Sequence, residues 1–575
     1  VVLTGSVGTK GGTSANGWHK FIPVTPLHPE PQRRWNELAW PIEYPLSHHE
    51  MSILLPHFLK SGRGRIDTYF TRVYNPIWTN PDGFTWLEVL RDEDLVGCHV
   101  ALTPTWNESA WFADYVLPMG VSSERHDLAS YETHSGRWVG FRQPVLRRHG
   151  ELEGRRFKRT HEANPGEVWE EEEFWIDLSW KIDPDGSLGV REKFESQERP
   201  GTPLSIDEYY SMLFEQSVPG LPEAAEIDQV SPLEYMRRKG AFALPGDQYQ
   251  PYETVVSEEQ LIEAECDEDG VFRRPGTAGM HDDLAEITGH MPFIGDGSPA
   301  VQVDGRARLG FPTPSKKLEL YSETTRDWGW PEYALPTFIR SQVHWEDLDF
   351  AAGERMLVPT FRIPTLIHTR SANSKWLNEI SHRHPLWIHP TDADALGVAE
   401  NGLVRITTRI GWFVISAWRT EGIRPGVVAA SHHMGRWRLD EETGRSWGAG
   451  RASIDRTADG LWRLRREDPQ APYESDDADT GLIWWSDTGV HQNLAFPVQP
   501  DPVSGMHCWL QRVSVAPAAD SDVYGDVVVD TNVAHTVFEE WLAEARPGPG
   551  PDGLRRPLWF ARPVKPLATA YRHGT

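Results

Sequence analysis

With 575 residues the chain can hold about two to four domains and an ample core. Its 57 basic against 84 acidic side chains leave a formal charge of −27, which disfavours nucleic acid and anionic membrane surfaces as partners. No apolar run approaches the ~20 residues needed to span a bilayer, and Cys98, Cys266 and Cys508 lie too far apart for a CxxC cluster or zinc site, which leaves them as ordinary buried or half-buried thiols.

Near the start, VVLTGSVGTKGGTSANGWHK reads as an apolar helix end followed by a glycine-rich loop. The loop from Gly8 to Gly12 lacks the spacing of a dinucleotide fingerprint or of a phosphate loop ending in Lys and Ser/Thr. His48, His49 and Glu50 are not at helical metal-ligand spacing and are expected at the surface. Val100, Ala101 and Leu102 form an apolar run suited to a buried strand, and Thr103 to Asn107 is the loop at its carboxyl end, where open α/β sheets bind ligands. Asn164-Pro165-Gly166-Glu167 predicts a helix start, with Phe174, Leu178 and Ile182 on one face. From about 183 to 300 the sequence turns acidic and rich in Pro and Gly, with short helical patches such as SIDEYYSMLFEQ, a covering excursion of the α/β domain.

Polar sequence around 336 to 355 leads into a β-rich stretch. Within it Thr391 is expected to cap a short helix, with Asp394 three residues on and Gly397 ending it in the left-handed conformation. Val404, Ile406 and Thr408 then alternate with polar residues, Ile410-Gly411 turns, Phe413 and Ile415 resume the alternation, and Arg424-Pro425-Gly426 supplies a further turn. Thr369, Arg370 and Ser371 put three donors in succession after an apolar run, a pattern suited to a phosphate, which takes charge-assisted bonds from Arg and short hydroxyl bonds from Ser or Thr. His432 and His433 follow the strand-like VVAAS, so at most one of them faces any ligand. The sequence after Val515 contains RPGPGPDG and is expected to be an irregular tail wrapping the surface or meeting a partner.

This order of elements, with TRSANSKWL before it and SHHMGRW after it, resembles the molybdopterin-dinucleotide-binding β-barrel of the dimethyl sulfoxide reductase superfamily. Its enzymes hold molybdenum or tungsten between two molybdopterin guanine dinucleotides. A second stretch carries the same resemblance: Asn75-Pro76, Thr105 to Glu108, Ala113-Asp114-Tyr115-Val116-Leu117-Pro118 and Glu124 stand in the family's order and spacing. So does a third, TGVHQNLAFPVQPDPVSGMHCWLQRVSV, with Asn493 and the Asp501-Pro502-Val503-Ser504-Gly505 turn. GFPTPSKKLELYS and PLEYMRRKGAF resemble further family segments, and together these regions cover roughly residues 1 to 515.

The resemblance implies an α/β fold: doubly wound α/β structure over 1–335 with an insertion at about 183–300, a double-psi-like β-barrel over 356–517, and a tail over 518–575. It implies cofactor contacts from the first loops (Asn75, Thr103, Thr105, Trp106, Asn107, Glu108 and Asp114), with the Asp114 carboxylate serving as a hydrogen-bond anchor, since a buried carboxylate beside a polyanion is unfavourable. Further contacts are implied from Thr369, Arg370, Ser371, Asn373 and Trp376, from His432 and His433, and from Gln492, Asn493 and Gln511. Some of the 26 Trp residues, among them Trp78, Trp111, Trp437 and Trp509, lie beside these loops and could supply flat surfaces for pterin or guanine.

The chemistry implied is two-electron redox on a small substrate, formate-like or an oxyanion or sulfur compound, with a partner iron-sulfur electron-transfer subunit. The family's amino-terminal part, with its iron-sulfur motif and metal ligand, would precede Val1. Formate dehydrogenases are similar in overall look, but they carry an Arg in a Val-Arg-Gly-Gln-Asn-Asn-like run. Here that place reads Thr13 to His19, which deprives formate of its bidentate partner. His19 then stands as the candidate catalytic proton shuttle, with Asn16 and Trp18 beside it on the substrate side. A cofactor-free structural subunit and a non-redox hydratase on the same framework are the competing readings.

Overall fold

The structure, a computed structural model, describes residues 4–6, 8–9, 11–12, 50–62, 64–129, 138–245, 250–274, 299–311, 313, 315–321, 331, 334–336, 338, 340–371, 377, 380, 384–432, 437–439, 450–466, 489–500 and 507–544. The chain divides into two compact units, one of Val1–Leu38, Leu117–Thr337 and Pro549–Thr575, the other of Ala39–Val116 and Phe338–Gly548. Among the described residues no helix is long and apolar enough to cross a membrane.

The second unit begins with α1 (Glu50–Lys60), β1 (Tyr69–Arg72), α2 (Pro76–Thr79), α3 (Gly83–Leu90) and β2 (His99–Thr103). β1 and β2 pair in parallel, Thr71 beside Ala101 and Arg72 beside Leu102. β2 is buried at every position, as a continuous apolar run between crossovers requires. Pro76 opens α2 and Asp82, at φ +53°, separates it from α3. A Cβ on Gly83 would lie 2.0 Å from the Ile77 carbonyl, so glycine alone lets α3 fold back this tightly on the 75–82 turn. The chain passes to the other unit within β3 (Tyr115–Pro118).

In that first unit β4 (Asp127–Ala129), β5 (Trp138–Arg142) and β6 (Ala241–Ala243) form an antiparallel sheet. It shares a core of Val139, Phe141 and Phe242 with α6 (Ile206–Ser217), α7 (Leu221–Ile227) and α8 (Pro232–Lys239). The SIDEYYSMLFEQ patch is α6, started by a reciprocal capping box between Ser205 and Glu208. A second antiparallel sheet comprises β7 (Glu265–Cys266), β8 (Val271–Arg273), β9 (Ala300–Val303) and β10 (Arg306–Arg308). Cys266 is exposed, unlike the half-buried Cys98 and Cys508, because it sits on the edge strand of that sheet.

The chain returns to the second unit as a barrel built from β11 (Glu354–Phe361), β12 (Pro385–Ile388), β13 (Leu403–Thr407), β14 (Gly411–Arg419), β15 (Val427–Ser431) and β19 (Gln511–Pro517). These six pair in the order β12-β15-β11-β19-β13-β14, and a β12–β14 pairing closes the ring. β11 with β15 and β12 with β14 are parallel; the other pairs are antiparallel. The expected alternation is realised: Val404, Ile406, Phe413 and Ile415 are fully buried inside the barrel core. The short helix α9 (Pro390–Leu396) is capped by His389, whose Nδ1 accepts from Thr391 N, rather than by Thr391; Pro390 occupies its first position and starts it earlier. Gly397 ends it at φ +69°.

Beyond β14 the sheet continues through β20 (Val527–Val529), β18 (Trp462–Arg466), β17 (Gly450–Arg456) and β16 (Trp437–Leu439). Residues 527–544, expected within an irregular tail, thus form a ladder strand and a helix, α10 (Thr531–Glu544). Three consecutive valines supply the strand, and Phe538 and Trp541 pack the helix with Ile53, Leu54 and Phe58 of α1. Glu88 on α3 gathers this assembly: it accepts from Lys60 at 2.7 Å, Arg456 at 2.7 Å, Trp462 at 2.6 Å and Thr531 at 2.8 Å.

The first unit holds a charged knot in place of one expected helix face. α5 (Glu171–Ile182) starts after Glu170, not at Asn164, whose side chain instead donates to the carbonyls of Glu124 and Val168. Its buried face is Glu173, Ile176 and Ser179, while Ile182 is half exposed. The face is rotated because Glu173 accepts from Thr160 N at 2.8 Å and from Arg147 at 3.3 Å, and Glu170 binds His126 at 2.8 Å. Arg147 comes from α4 (Val145–Leu152). Burial pushes Glu170, Glu172 and Glu173 each up to about 7 and His126 down to about 3. The folded state therefore keeps glutamate protons that an unfolded chain releases above its ordinary carboxylate range, and stability from these groups falls as pH rises toward about 7. His126 acts oppositely, losing stability as pH falls below its ordinary value, but it is one group against three. Thermal unfolding should accordingly soften between pH 5.5 and about 7, and Glu172→Gln should flatten that slope by about one proton. A melting profile of unchanged slope in the variant would show that Glu172 is ionised throughout.

Candidate functional site

Four loop segments and one turn, all in the second unit, meet in a chain of hydrogen bonds. Asn75 starts it: its backbone carbonyl accepts from Trp78 N and Thr79 N, and its side-chain oxygen accepts from Ser109 N at 3.1 Å and Ser109 Oγ at 2.8 Å. Its Nδ2 donates to Glu108 Oε2 at 2.6 Å. Glu108, fully buried, takes Trp437 N on its other oxygen at 3.1 Å, which joins the loop after β2 to the strand following SHHMGRW. Asn493 Nδ2 donates to Trp78 O at 2.9 Å and Asn493 O accepts from Asp82 N at 3.1 Å. Gln492 Nε2 donates to Ser431 O at 3.0 Å, and His432 meets His368 at 3.2 Å between ring nitrogens.

The structure thus brings together Asn75, Glu108, Gln492, Asn493 and His432, and the 368–371 turn through His368. Ser371 is buried there, its hydroxyl bonded to Ile367 N at 2.7 Å. Thr369 and Arg370 belong to the same short 3-10 turn; their side chains, with Asn373, Trp376, His433, His19 and the 501–505 turn, lie outside the described residues. In the loop after β2, Thr103 Oγ1 donates to Thr105 O at 2.6 Å and accepts from Asn107 Nδ2 at 3.4 Å, while Asn107 Oδ1 caps Ala110 N at 2.9 Å. Thr105 is exposed there. Trp106 stacks on Trp111 with ring centres 4.6 Å apart. Asp114 accepts from His99 N at 2.7 Å, anchoring the end of the segment to β2. Gln511 stands apart on β19, its amide donating to the carbonyls of Cys508 and Trp509 and its side chain lining a cleft of about 370 Å³ with Thr407, Arg409 and Arg512.

The junction is electrically quiet. Burial holds His99 down to about 4 against the pull of Asp114, and burial with His368 and Arg362 nearby holds His432 down to about 4. Both imidazoles are neutral at neutral pH, so they offer directed hydrogen bonds rather than charge. Several deeply buried polar atoms in these segments have no hydrogen-bond partner among the described residues, Gln492 Oε1 and Trp437 Nε1 among them. Sequence reasoning placed Trp437 beside the site but assigned it no contact. Its signal was available in the SHHMGRW segment, where a polar-tipped aromatic closes a run of polar residues. The site's donors and acceptors fit a polar heteroaromatic ligand.

Residues 356–458 match the family model of the Molydopterin dinucleotide binding domain, a span that holds five of the six barrel strands, β11 to β15, and continues through β17. The chain carries a molydopterin dinucleotide binding domain and is similar to molybdopterin oxidoreductases of the dimethyl sulfoxide reductase superfamily. Among similar proteins, the arsenate respiratory reductase molybdopterin-containing subunit of Chrysiogenes arsenatis is 27% identical over 194 residues, covering 28% of this chain and 23% of that protein. The trimethylamine-N-oxide reductase of Haemophilus influenzae is 30% identical over 131 residues, covering 22% of this chain and 15% of that protein. The matches therefore span under a quarter of either relative's length. Among solved structures, acetylene hydratase from Pelobacter acetylenicus gives a TM-score of 0.46 at 13% identity, over 84% of this chain and 52% of that one.

Glu108 is the test of the junction. Glu108→Ala leaves the Asn75 amide and the Trp437 N–H without their acceptor, each at a cost of about 1–3 kcal/mol. The variant should lose about 2–6 kcal/mol in denaturant unfolding. A loss below about 0.5 kcal/mol, the level of an ordinary surface substitution, would show that the four segments are held by other means.

Proposed function

We propose that this chain is the cofactor-holding portion of a molybdopterin guanine dinucleotide enzyme that reduces a small oxo compound: an oxyanion or an N- or S-oxide. The observation that carries this reading is the convergence of the 75–82, 105–111, 431–437 and 491–496 segments beside a barrel that matches a dinucleotide-binding domain. Two relatives named for arsenate and trimethylamine-N-oxide reduction support the oxo class, and the absence of an Arg within Thr13 to His19 weighs against formate.

When bound, the molybdenum-pterin group supplies two-electron chemistry at the metal. The protein's part is to bind and orient it. Asn75, Glu108 and Asn493 fix the backbone of the surrounding loops, His432 and His368 stay neutral beside them, and Thr369, Arg370 and Ser371 are suited to the pyrophosphate. The overall reduction removes the substrate oxygen as water, consuming two protons and two electrons, and the electrons come from a partner iron-sulfur subunit. His19 is the candidate proton carrier on the substrate side.

The full-length protein tests this. It should release a fluorescent pterin on oxidation, contain molybdenum or tungsten by elemental analysis, and oxidise reduced viologen with arsenate or an N-oxide but not reduce viologen with formate. Metal- and pterin-free protein would favour the structural subunit, and formate turnover would overturn the substrate class. Within it, Arg370→Ala should lower cofactor retention about ten- to hundredfold, the worth of one charge-assisted contact, with unchanged circular dichroism. Equal metal occupancy would place Arg370 at the surface.

A further inference from the structure

A cleft of about 480 Å³ opens in the second unit where β11 and β15 begin. Its walls are apolar, formed by Trp345, Phe350, Met356 and Pro425, and two of them stand well out in solvent, Trp345 at 59% and Phe350 at 41% exposure. The walls are fixed from behind. His344 Nδ1 accepts from Glu346 N at 3.3 Å and holds the 345–347 turn. Gly426 has φ +85°, and a Cβ there would come within 2.8 Å of the Phe350 ring, so only glycine lets the 424–427 turn lie this close to it. Gly426 N donates to Asp392 Oδ2 at 2.7 Å, and the other Asp392 oxygen pairs with the buried Arg355 at 3.0 Å. The cleft is separate from the candidate site. β11 and β15 run in parallel, Met356 beside Val427, and the candidate site lies at the far end of β15, where Ser431 O takes the Gln492 amide, about 13 Å along the strand at ~3.3 Å per residue.

The polar groups decide what such a cleft takes. Asp392 lines it, but both its oxygens are engaged and Arg355 matches its charge, so it does little for a cationic ligand. Arg424 also lines it and is exposed, and its side chain makes no hydrogen bond or ion pair among the described residues. That is unusual in a chain with 84 acidic side chains to 57 basic ones. Apolar walls with one or two fixed polar groups, at this volume, are the ordinary form of a small-molecule site. Aromatic walls favour a ring, and a guanidinium left without an acid favours a carboxylate. We propose that the cleft binds a small aromatic carboxylic acid, its ring against Trp345 and Phe350 and its carboxylate on Arg424. The assignment does not rest on the proposed function, because none of these residues belongs to the candidate site.

Ligand-detected NMR titration of the full-length protein tests this with phenylacetate, phenylacetamide and phenethylamine, which carry the same ring on a negative, a neutral and a positive head. Phenylacetate should bind best and phenethylamine worst. Arg424→Gln should weaken phenylacetate about three- to tenfold, the worth of a charge-assisted contact on an exposed side chain, and leave phenylacetamide unchanged. Trp345→Ala should weaken both. Both positions are exposed, so neither variant threatens the fold. Equal phenylacetate binding in the parent and Arg424→Gln, a preference for phenethylamine, or no binding of any probe by the parent would overturn the inference. Two further results would replace it with a docking surface. A parent that is dimeric where Trp345→Ala is monomeric would put a second copy on the cleft, and phenylacetate binding that is lost when the chain is joined to its partner subunit would put that subunit there.

Discussion

The second unit depends on one buried carboxylate. Glu108 has no contact with solvent, yet both its oxygens are used: one receives the Asn75 side-chain amide and the other the Trp437 backbone N–H. A carboxyl group taken from water is tolerated only when such bonds replace its hydration. That requirement ties the 75–82 turn, the loop after β2 and the segment after β15 to one another. Asn493, bonded to Trp78 and Asp82, fixes the fourth segment against the same turn. The loops of the candidate site are thus held by their own side chains, and groups facing a ligand need not also hold the loops.

Much of the second unit was legible in the sequence because its cues are local. The alternation of Val404, Ile406, Phe413 and Ile415 and the left-handed Gly397 each specify a conformation within a few residues. The 103–108 loop followed from the apolar run before it. Other features depended on partners distant in sequence. Nothing around Val527 reveals that it pairs with Phe413 and Leu464, so the strand read as tail. At α9, Thr391 is the better cap by residue type, but Pro390 moved the helix start and gave the role to His389.

The first unit shows the opposite case, where periodicity misled. Phe174, Leu178 and Ile182 are spaced for an apolar face, yet Glu173 points inward because Thr160 and Arg147 wait for it. A carboxylate goes inside when its partners are already there, and a pattern of apolar residues carries no record of those partners. In the candidate site the same limit applies. The segment SHHMGRW advertises histidines, while the bond that ties it to the loop after β2 is made by the Trp437 backbone. Whether a polar side chain is satisfied is a property of three-dimensional neighbours.

The bond between Glu108 and Trp437 joins residues 329 positions apart. Synthesis proceeds from the amino terminus, so residues 39–116 emerge long before the strands that complete their unit. Between the two lies residues 117–337, the larger part of a unit with cores of its own. Contacts of such long range carry a large loop-closure cost and form slowly. The side chain of Glu108 must therefore wait, hydrated, until the barrel strands arrive, which makes closure of this junction a late step in the assembly of the second unit.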